Sequence, residues 1–488
     1  MAKVVILDSP SWLLFSPRQF LHLGCGYLAA ALRRAGHEVR WMDCHEITEW
    51  KADTHELIIH RDKLPECDVV GISATTANVH WGKQMAAAWP AKYKVLGGSH
   101  ATYIIKGNHE RFKKAEAFAP FNYMIVDEAE ESFVAFCNAV DKGIEPRKQL
   151  IPPIPDLCWF DSGGNLHRNP HFGLPDVAKL DGPAFDIWEG GFFSGGMNVV
   201  SKQGNKSLGR EAMTASLYTA RGCPYGCTFC ADARSKVREE SLEQITKQVR
   251  QLADMGVAAV RLQDDVFSLK AKRCRDICDI LHDHGMAARA NTRVNLSDPE
   301  LFRYMASRGI TELGFGVESG SKFILDKMQK GTTPEKNTIG VKMAMDAGIA
   351  AKSFLMLGFP FESKETIEES KQWVLNTKPT MASCAVFQPF PGSHVFAHPE
   401  QYNITIPDNA FDKFWQQGMD DCDEEGLVLE LPTISKKDLL IAKKDFRETL
   451  EREIGSLDRS RLDSGGTHGM GTFVPRVEEI PGGVAGAM

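Results

Sequence analysis

Twice along its length the chain repeats one unit, a short apolar run followed by a helical stretch that a glycine closes. Such alternation builds a parallel sheet with helical crossovers, which places the chain in the α/β class. The first series occupies residues 1 to about 140. Val4-Val5-Ile6-Leu7-Asp8 is a buried strand, the spacing predicts a helix over Leu21 to Ala35 closed by Gly36, and a second strand runs from Glu38 to Asp43. Asp68 to Ser73, Lys94 to Gly98 and Tyr123 to Val126 continue the series, each ending in small or polar residues. Ligands of open α/β sheets sit beyond the carboxyl ends of the strands. The loops there are Ala74-Thr75-Thr76-Ala77-Asn78, Gly98-Ser99-His100-Ala101-Thr102 and Asp127-Glu128-Ala129-Glu130. Plain turns and caps have the same composition, so spacing alone leaves both readings open.

Residues 141 to 212 are rich in Pro and Gly and read as a connector. Over 213 to 392 the alternation resumes, with strands predicted at 216–221, 258–263, 287–292, 312–317, 350–357 and 384–389. The helices between them open at Ser241, Asp298-Pro299 and Thr333-Pro334 and stop at Gly256, Gly309 and Gly348. Six β/α units in succession imply a full or partial barrel, whose chemistry lies at the carboxyl ends of its strands. Residues 393 to 460 read as a mostly helical region with a solvated acidic run at Asp420, Asp421, Asp423, Glu424 and Glu425. The glycine-rich stretch 461 to 488 reads as a flexible tail.

A chain of 488 residues exceeds one hydrophobic core, so two or three domains are expected. The formal charge of -7, with signs mixed, gives no basic footprint and argues against nucleic acid or anionic membrane as a main partner. No run reaches the roughly 18 apolar residues of a spanning helix. The opening residues enter a strand directly, and a cytoplasmic protein is expected. Twelve cysteines at this length point to reduced thiols, some of them ligands.

Only one cysteine group is tight: Arg221-Gly222-Cys223-Pro224-Tyr225-Gly226-Cys227-Thr228-Phe229-Cys230, directly after the first predicted barrel strand. Soft thiolates at this density select zinc or an iron-sulfur cluster. A structural zinc site would want a fourth soft ligand, and the nearby chain offers only Asp232. Three ligands for a four-iron cube leave one iron open, which fits catalysis better than simple electron transfer.

The Cys-x-x-x-Cys-x-x-Cys loop, with aromatic Phe229 before its last cysteine, resembles the signature of radical S-adenosylmethionine enzymes. The resemblance implies a [4Fe-4S] cluster on Cys223, Cys227 and Cys230 whose open iron chelates S-adenosylmethionine and cleaves it to a 5'-deoxyadenosyl radical. Ala259 to Phe267, with its Asp264-Asp265 pair, resembles the family's second strand. Gly314-Phe315-Gly316-Val317-Glu318-Ser319-Gly320 resembles the fourth, whose glutamate contacts adenosylmethionine. Acids at strand ends also cap helices, which is the other reading of Asp264, Asp265 and Glu318. Arg293 follows the third strand, where a cation pairs with a carboxylate.

The α/β unit ahead of the barrel resembles the cobalamin-binding domain of one branch of that family. The resemblance rests on Gly26 to Val39, Gly71-Ile72-Ser73 and Gly97-Gly98-Ser99-His100-Ala101-Thr102. It implies a Rossmann-like cobalamin-binding domain, a partial (β/α)6 TIM-type barrel and a mostly helical C-terminal region. Ser73, Thr75, Thr76, Gly97, Gly98, His100 and Glu128 then belong to the cofactor pocket. Two departures stand out. Asp127-Glu128-Ala129-Glu130 replaces the family's Gly-Glu-Gly-Glu and loses the backbone freedom of both glycines. There is also no Asp-x-His-x-x-Gly sequence to mark a lower axial histidine.

The implied activity is methylation of an unactivated carbon, or of phosphorus, in a small-molecule or natural-product intermediate, with an external electron donor of flavodoxin or ferredoxin type. Within the same branch the alternative is radical cyclisation, ring contraction or oxidative rearrangement without methyl transfer. A methylthiotransferase would need a second cluster and a small basic β domain. A cobalamin-binding sensor with a structural metal site would leave Glu318 and Asp264 without purpose.

Overall fold

Val4 and Ile6 join one core cluster while Val5 and Leu7 join another, so the first strand is apolar on both faces. A strand of this kind belongs inside a parallel sheet with both faces covered. The computed structural model describes residues 1–12, 21–51, 53–148, 151–194, 213–417 and 422–455, and it places this strand accordingly. β1 (Lys3–Asp8) lies between β2 (Glu38–Trp41) and a later strand, while β3 (Thr48–Lys51) and β4 (Glu56–Ile59) form a separate hairpin. β5 (Val69–Ser73), β6 (Tyr93–Gly97) and β7 (Tyr123–Ile125) continue on the far side of β1, all parallel to it. The chain leaves β1 in one direction and returns on its other side. The carboxyl ends of β1 and β5 are therefore the switch point at which a Rossmann-like sheet offers a crevice.

Two strands from the Pro- and Gly-rich stretch, β8 (Leu157–Phe160) and β9 (Leu166–Arg168), extend this sheet antiparallel beyond β7. Next come the short β10 (Phe193–Ser194), then β11 (Met213–Leu217), and a hairpin of β12 (Ala220–Arg221) and β13 (Arg238–Glu239) that brackets the cysteine loop. β14 (Ala259–Leu262), β15 (Ala287–Thr292), β16 (Ile310–Glu318), β17 (Ala350–Leu357) and β18 (Met381–Val386) follow β11 in parallel order. Six parallel strands with helical crossovers make the expected partial barrel, and among the described residues its sheet stays open.

The first and last barrel strands begin about three residues earlier than the sequence predicts. β11 leaves the ladder after Leu217 because the Thr219 N–H turns to the Asp264 carboxylate at 2.7 Å. β18 starts in Met381-Ala382-Ser383, which lack the β-branched and aromatic side chains that mark a strand but pair with Lys352, Ser353 and Phe354. The helices form as their caps predict. Ser241 accepts from Gln244 N, Asp298 from Glu300 N and Leu301 N, and Thr333 from Lys336 N. The Gln244 side chain does not complete a capping box; its amide donates to the Leu180 carbonyl instead.

After the barrel, helix Ala410–Gln417 carries Phe414 and Trp415 into the core that covers one face of the N-terminal sheet. Helix Lys436–Glu453 packs on helix Lys364–Thr377 and β18. Asp420, Asp421 and the tail from 461 lie outside the described residues. No described helix is long and apolar enough to cross a membrane.

Candidate active site

The cysteine loop is built by its exits. Gly222 has φ +99°, and a Cβ there would stand 2.5 Å from the Lys236 carbonyl, so only glycine lets the chain turn past the returning strand. Inside the loop, Cys223 N donates to Ser235 Oγ at 2.7 Å, Arg234 N to the Tyr225 carbonyl at 2.7 Å, and Cys230 N to the Cys227 carbonyl at 3.2 Å. Cys227 is buried, and Cys223 and Cys230 are half-buried. Burial pushes the Cys230 thiol up to about 12 and raises Cys223 as well. A bound cation that replaces the proton relieves that penalty, which suits a metal-binding loop. Arg293 Nη1 approaches Cys227 Sγ at 3.2 Å, and the guanidinium stacks 4.0 Å from the Tyr225 ring centre.

The three cysteines open on a cavity of about 220 Å³ that Phe229, Asp265, Arg293, Glu318 and Lys330 also line. Glu318 ends β16 at φ +64°, a left-handed conformation that strand residues avoid, beside a register shift between Gly316 and Glu318. That backbone turns its carboxylate to Lys330 Nζ at 2.7 Å. Asp265 accepts from Gly222 N at 3.2 Å, and burial raises its pKa. The cavity thus combines soft ligands, two cations and two acids beneath an aromatic wall, an arrangement complementary to an amino-acid head group.

Asp264 and Ser319 are adjacent in sequence to cavity residues yet lie outside the cavity. Asp264 receives both the N–H and the hydroxyl of Thr219 and staples β11 to β14, with its pKa raised to about 6 by burial. Ser319 Oγ meets Ser370 Oγ at 3.0 Å behind the strand.

At the other sheet, Asp8, His22, Ser73, Thr75, Tyr218 and Gln263 line an open-sided cleft of about 180 Å³ at the β1–β5 switch point. Gly98, at φ +90°, packs where a Cβ would stand 2.6 Å from the Ala74 carbonyl, whereas a Cβ on Gly97 would meet nothing within 4 Å. Thr76 and His100 turn inward: Thr76 Oγ1 lies 3.2 Å from His100 Nδ1. The imidazole packs on Phe118 and Phe411, and burial lowers its pKa to about 3. Glu128 faces the barrel and pairs with Arg221 and Arg238.

Sequence reasoning missed Lys330, Asp8, Tyr218 and Gln263. Asp8 carried a signal, since it ends a strand at the functional edge of the sheet. Lys330 carried none, because it reaches back from a loop after helix Lys322–Lys327.

Residues 217–374 match the family model of the Radical SAM superfamily. An uncharacterized methyltransferase of Pyrococcus horikoshii is 25% identical over 79% of this chain and 80% of its own length. The anaerobic magnesium-protoporphyrin IX monomethyl ester cyclase of Cereibacter sphaeroides is 24% identical over 76% of this chain, which spans 59% of that protein. The solved structure of the radical S-adenosylmethionine methyltransferase TsrM from Kitasatospora setae, with cobalamin and [4Fe-4S] cluster bound, covers 99% of this chain and 85% of its own with a TM-score of 0.60 at 15% identity. That likeness shows a shared fold across both sheets. The matched segment carries the three-cysteine loop and strands β14 to β17 of the parallel half-barrel, so the chain contains a radical SAM domain.

Proposed function

We propose that this enzyme cleaves S-adenosylmethionine reductively at the cysteine loop and methylates an unactivated carbon or phosphorus centre of a small molecule, using cobalamin in the N-terminal cleft. One observation carries the reading: Gln263 lines the cleft and Asp265, two residues on, lines the cysteine cavity. Two cofactor sites thus adjoin at the end of a single strand. The methyltransferase relative and the TsrM fold, each spanning both units, support the same reading.

The residues present fit both groups. Three thiols, with no fourth soft ligand among the described residues of the cavity, suit a cluster with an open iron. Around the cleft, the Ser73 and Thr75 hydroxyls, the Gln263 amide and the Asp8 carboxyl suit the amide fringe of a corrin, and bare Gly97 leaves room for a flat ligand. When bound, cobalamin supplies a metal that accepts and donates a methyl group, and the cluster supplies an electron to the sulfonium. Glu318 offers a carboxylate to the methionyl ammonium, and Lys330 offers an ammonium to the methionyl carboxylate. Phe229, Val266 and Phe354 wall the cavity and exclude water from a carbon radical. An external donor of flavodoxin or ferredoxin type supplies the electron.

Ring closure without methyl transfer is the rival reading, favoured by the likeness to the cyclase. Methyl-labelled adenosylmethionine separates the two. Label in the product supports methylation, and label confined to methionine excludes it. Replacing Cys223, Cys227 and Cys230 with Ala abolishes 5'-deoxyadenosine formation in reduced, reconstituted protein; cleavage that persists defeats the assignment.

A further inference from the structure

The N-terminal unit holds the cysteine loop at both ends. At its start, Arg221 donates to Glu128 and Glu130, each at 2.8 Å, and its guanidinium lies 4.5 Å from the Tyr27 ring centre. Glu128 is gripped in turn by Arg238, on the strand that returns from the loop. At the far end the Tyr103 hydroxyl donates to Asp232, two residues beyond Cys230. The Tyr103 ring is wedged against Gly392, where a Cβ would stand 2.5 Å from it. The holders come from helix Leu23–Arg34, helix Ser99–Lys106, the turn after β7 and the first turn of helix Glu130–Asp141.

Stability alone does not explain these contacts. The Arg221 and Glu130 side chains are only 14% and 6% exposed, and ion pairs so buried are commonly no more stabilising than apolar residues of the same volume. Their distinctive property is direction: a charge-assisted pair fixes where its partners stand. Tyr218, which lines the cleft, precedes Arg221 by three residues, and Gly222 donates to the cavity acid Asp265. The loop is therefore short of slack between the cleft and the cavity.

We propose that Tyr103 and the Glu128–Glu130 pair are positioning residues for the cysteine loop, acting through Asp232 and Arg221 to set where the sulfur ligands stand relative to the N-terminal cleft. The proposal rests on the reading of Cys223, Cys227 and Cys230 as cluster ligands. Its test compares full-length wild type with Tyr103→Phe and Glu128→Gln/Glu130→Gln after anaerobic reconstitution. Iron and sulfide content stay at the wild-type level and the paramagnetic-resonance spectrum of the reduced cluster changes. The kcat for 5'-deoxyadenosine formation falls about tenfold, the scale of a small misplacement of reacting groups, while KM for adenosylmethionine stays within about twofold. Asp232→Asn, which keeps an oxygen for the Tyr103 hydroxyl, retains more activity than Asp232→Ala. The Tyr103→Phe/Asp232→Ala double variant is no worse than either single change. Variants with full iron, an unaltered spectrum and wild-type kcat overturn the proposal, as does activity lost only in step with iron. Wild-type protein that holds iron yet cleaves no adenosylmethionine overturns the underlying reading and the proposal together.

Discussion

Charge in the cysteine cavity is shared among Arg293, Lys330, Asp265 and Glu318, and Glu318 is the acid that answers Lys330 directly. Glu318→Gln keeps the shape and removes the charge, so under the proposed binding mode a methionyl ammonium would lose its partner while the cysteines are untouched. The expected result is a KM for adenosylmethionine raised about tenfold with cluster loading unchanged, read from steady-state 5'-deoxyadenosine formation. An unchanged KM would remove Glu318 from the binding set. Glu318 was legible because its strand-end motif is contiguous in sequence. Lys330 was not, because a lysine in a loop announces a charge but no direction. His100 misled for a related reason. It stands in a polar loop, and only Phe411, brought in by the C-terminal region, buries its ring.

At the scale of elements, Asp264, which staples β11 to β14, ties the stability of the fold to pH. Its pKa rises from 3.8 to about 6 in the folded chain because burial outweighs the Thr219 hydrogen bonds. The folded state therefore holds a proton that the unfolded state releases between those values. Stability from this group is complete below pH 3.8, declines as pH climbs to about 6, and is flat above. A shift of this size corresponds to roughly 3 kcal/mol. Asp264→Asn, uncharged throughout, should flatten that decline, and urea midpoints measured from pH 4 upward will show it. A wild-type slope that survives the substitution places its origin elsewhere. The elements themselves were largely readable, since strand runs and cap residues are local signals. What escaped were the strand ends at Leu217 and Met381, which a carboxylate from the next strand and a neighbour's open edge decide, the β3–β4 hairpin, and the three strands β8, β9 and β10 that Pro and Gly disguised as connector.

The whole molecule is joined by a helix from its C-terminal region. Trp415 on helix Ala410–Gln417 stacks on His80 at 5.0 Å and meets Trp50 and Trp81 edge-on or tilted at 5.7 and 5.9 Å. Trp50 belongs to the β3–β4 hairpin and Trp81 to the helix after β5, so one side chain closes the outer face of the N-terminal sheet. Burial holds His80 neutral, with a pKa lowered to about 3, and the stack persists across neutral pH. The same apolar cluster continues through Phe414 to Phe359 and Phe387 of the barrel. Melting of the two units is therefore coupled through this region, and wild-type calorimetry should show one transition. Trp415→Ala removes a large buried ring at about 3–5 kcal/mol, which should lower Tm by roughly 5–10 °C and let the N-terminal unit melt ahead of the barrel as a separate shoulder. A variant that melts in one step at the wild-type temperature would show that Trp415 does not couple the two units.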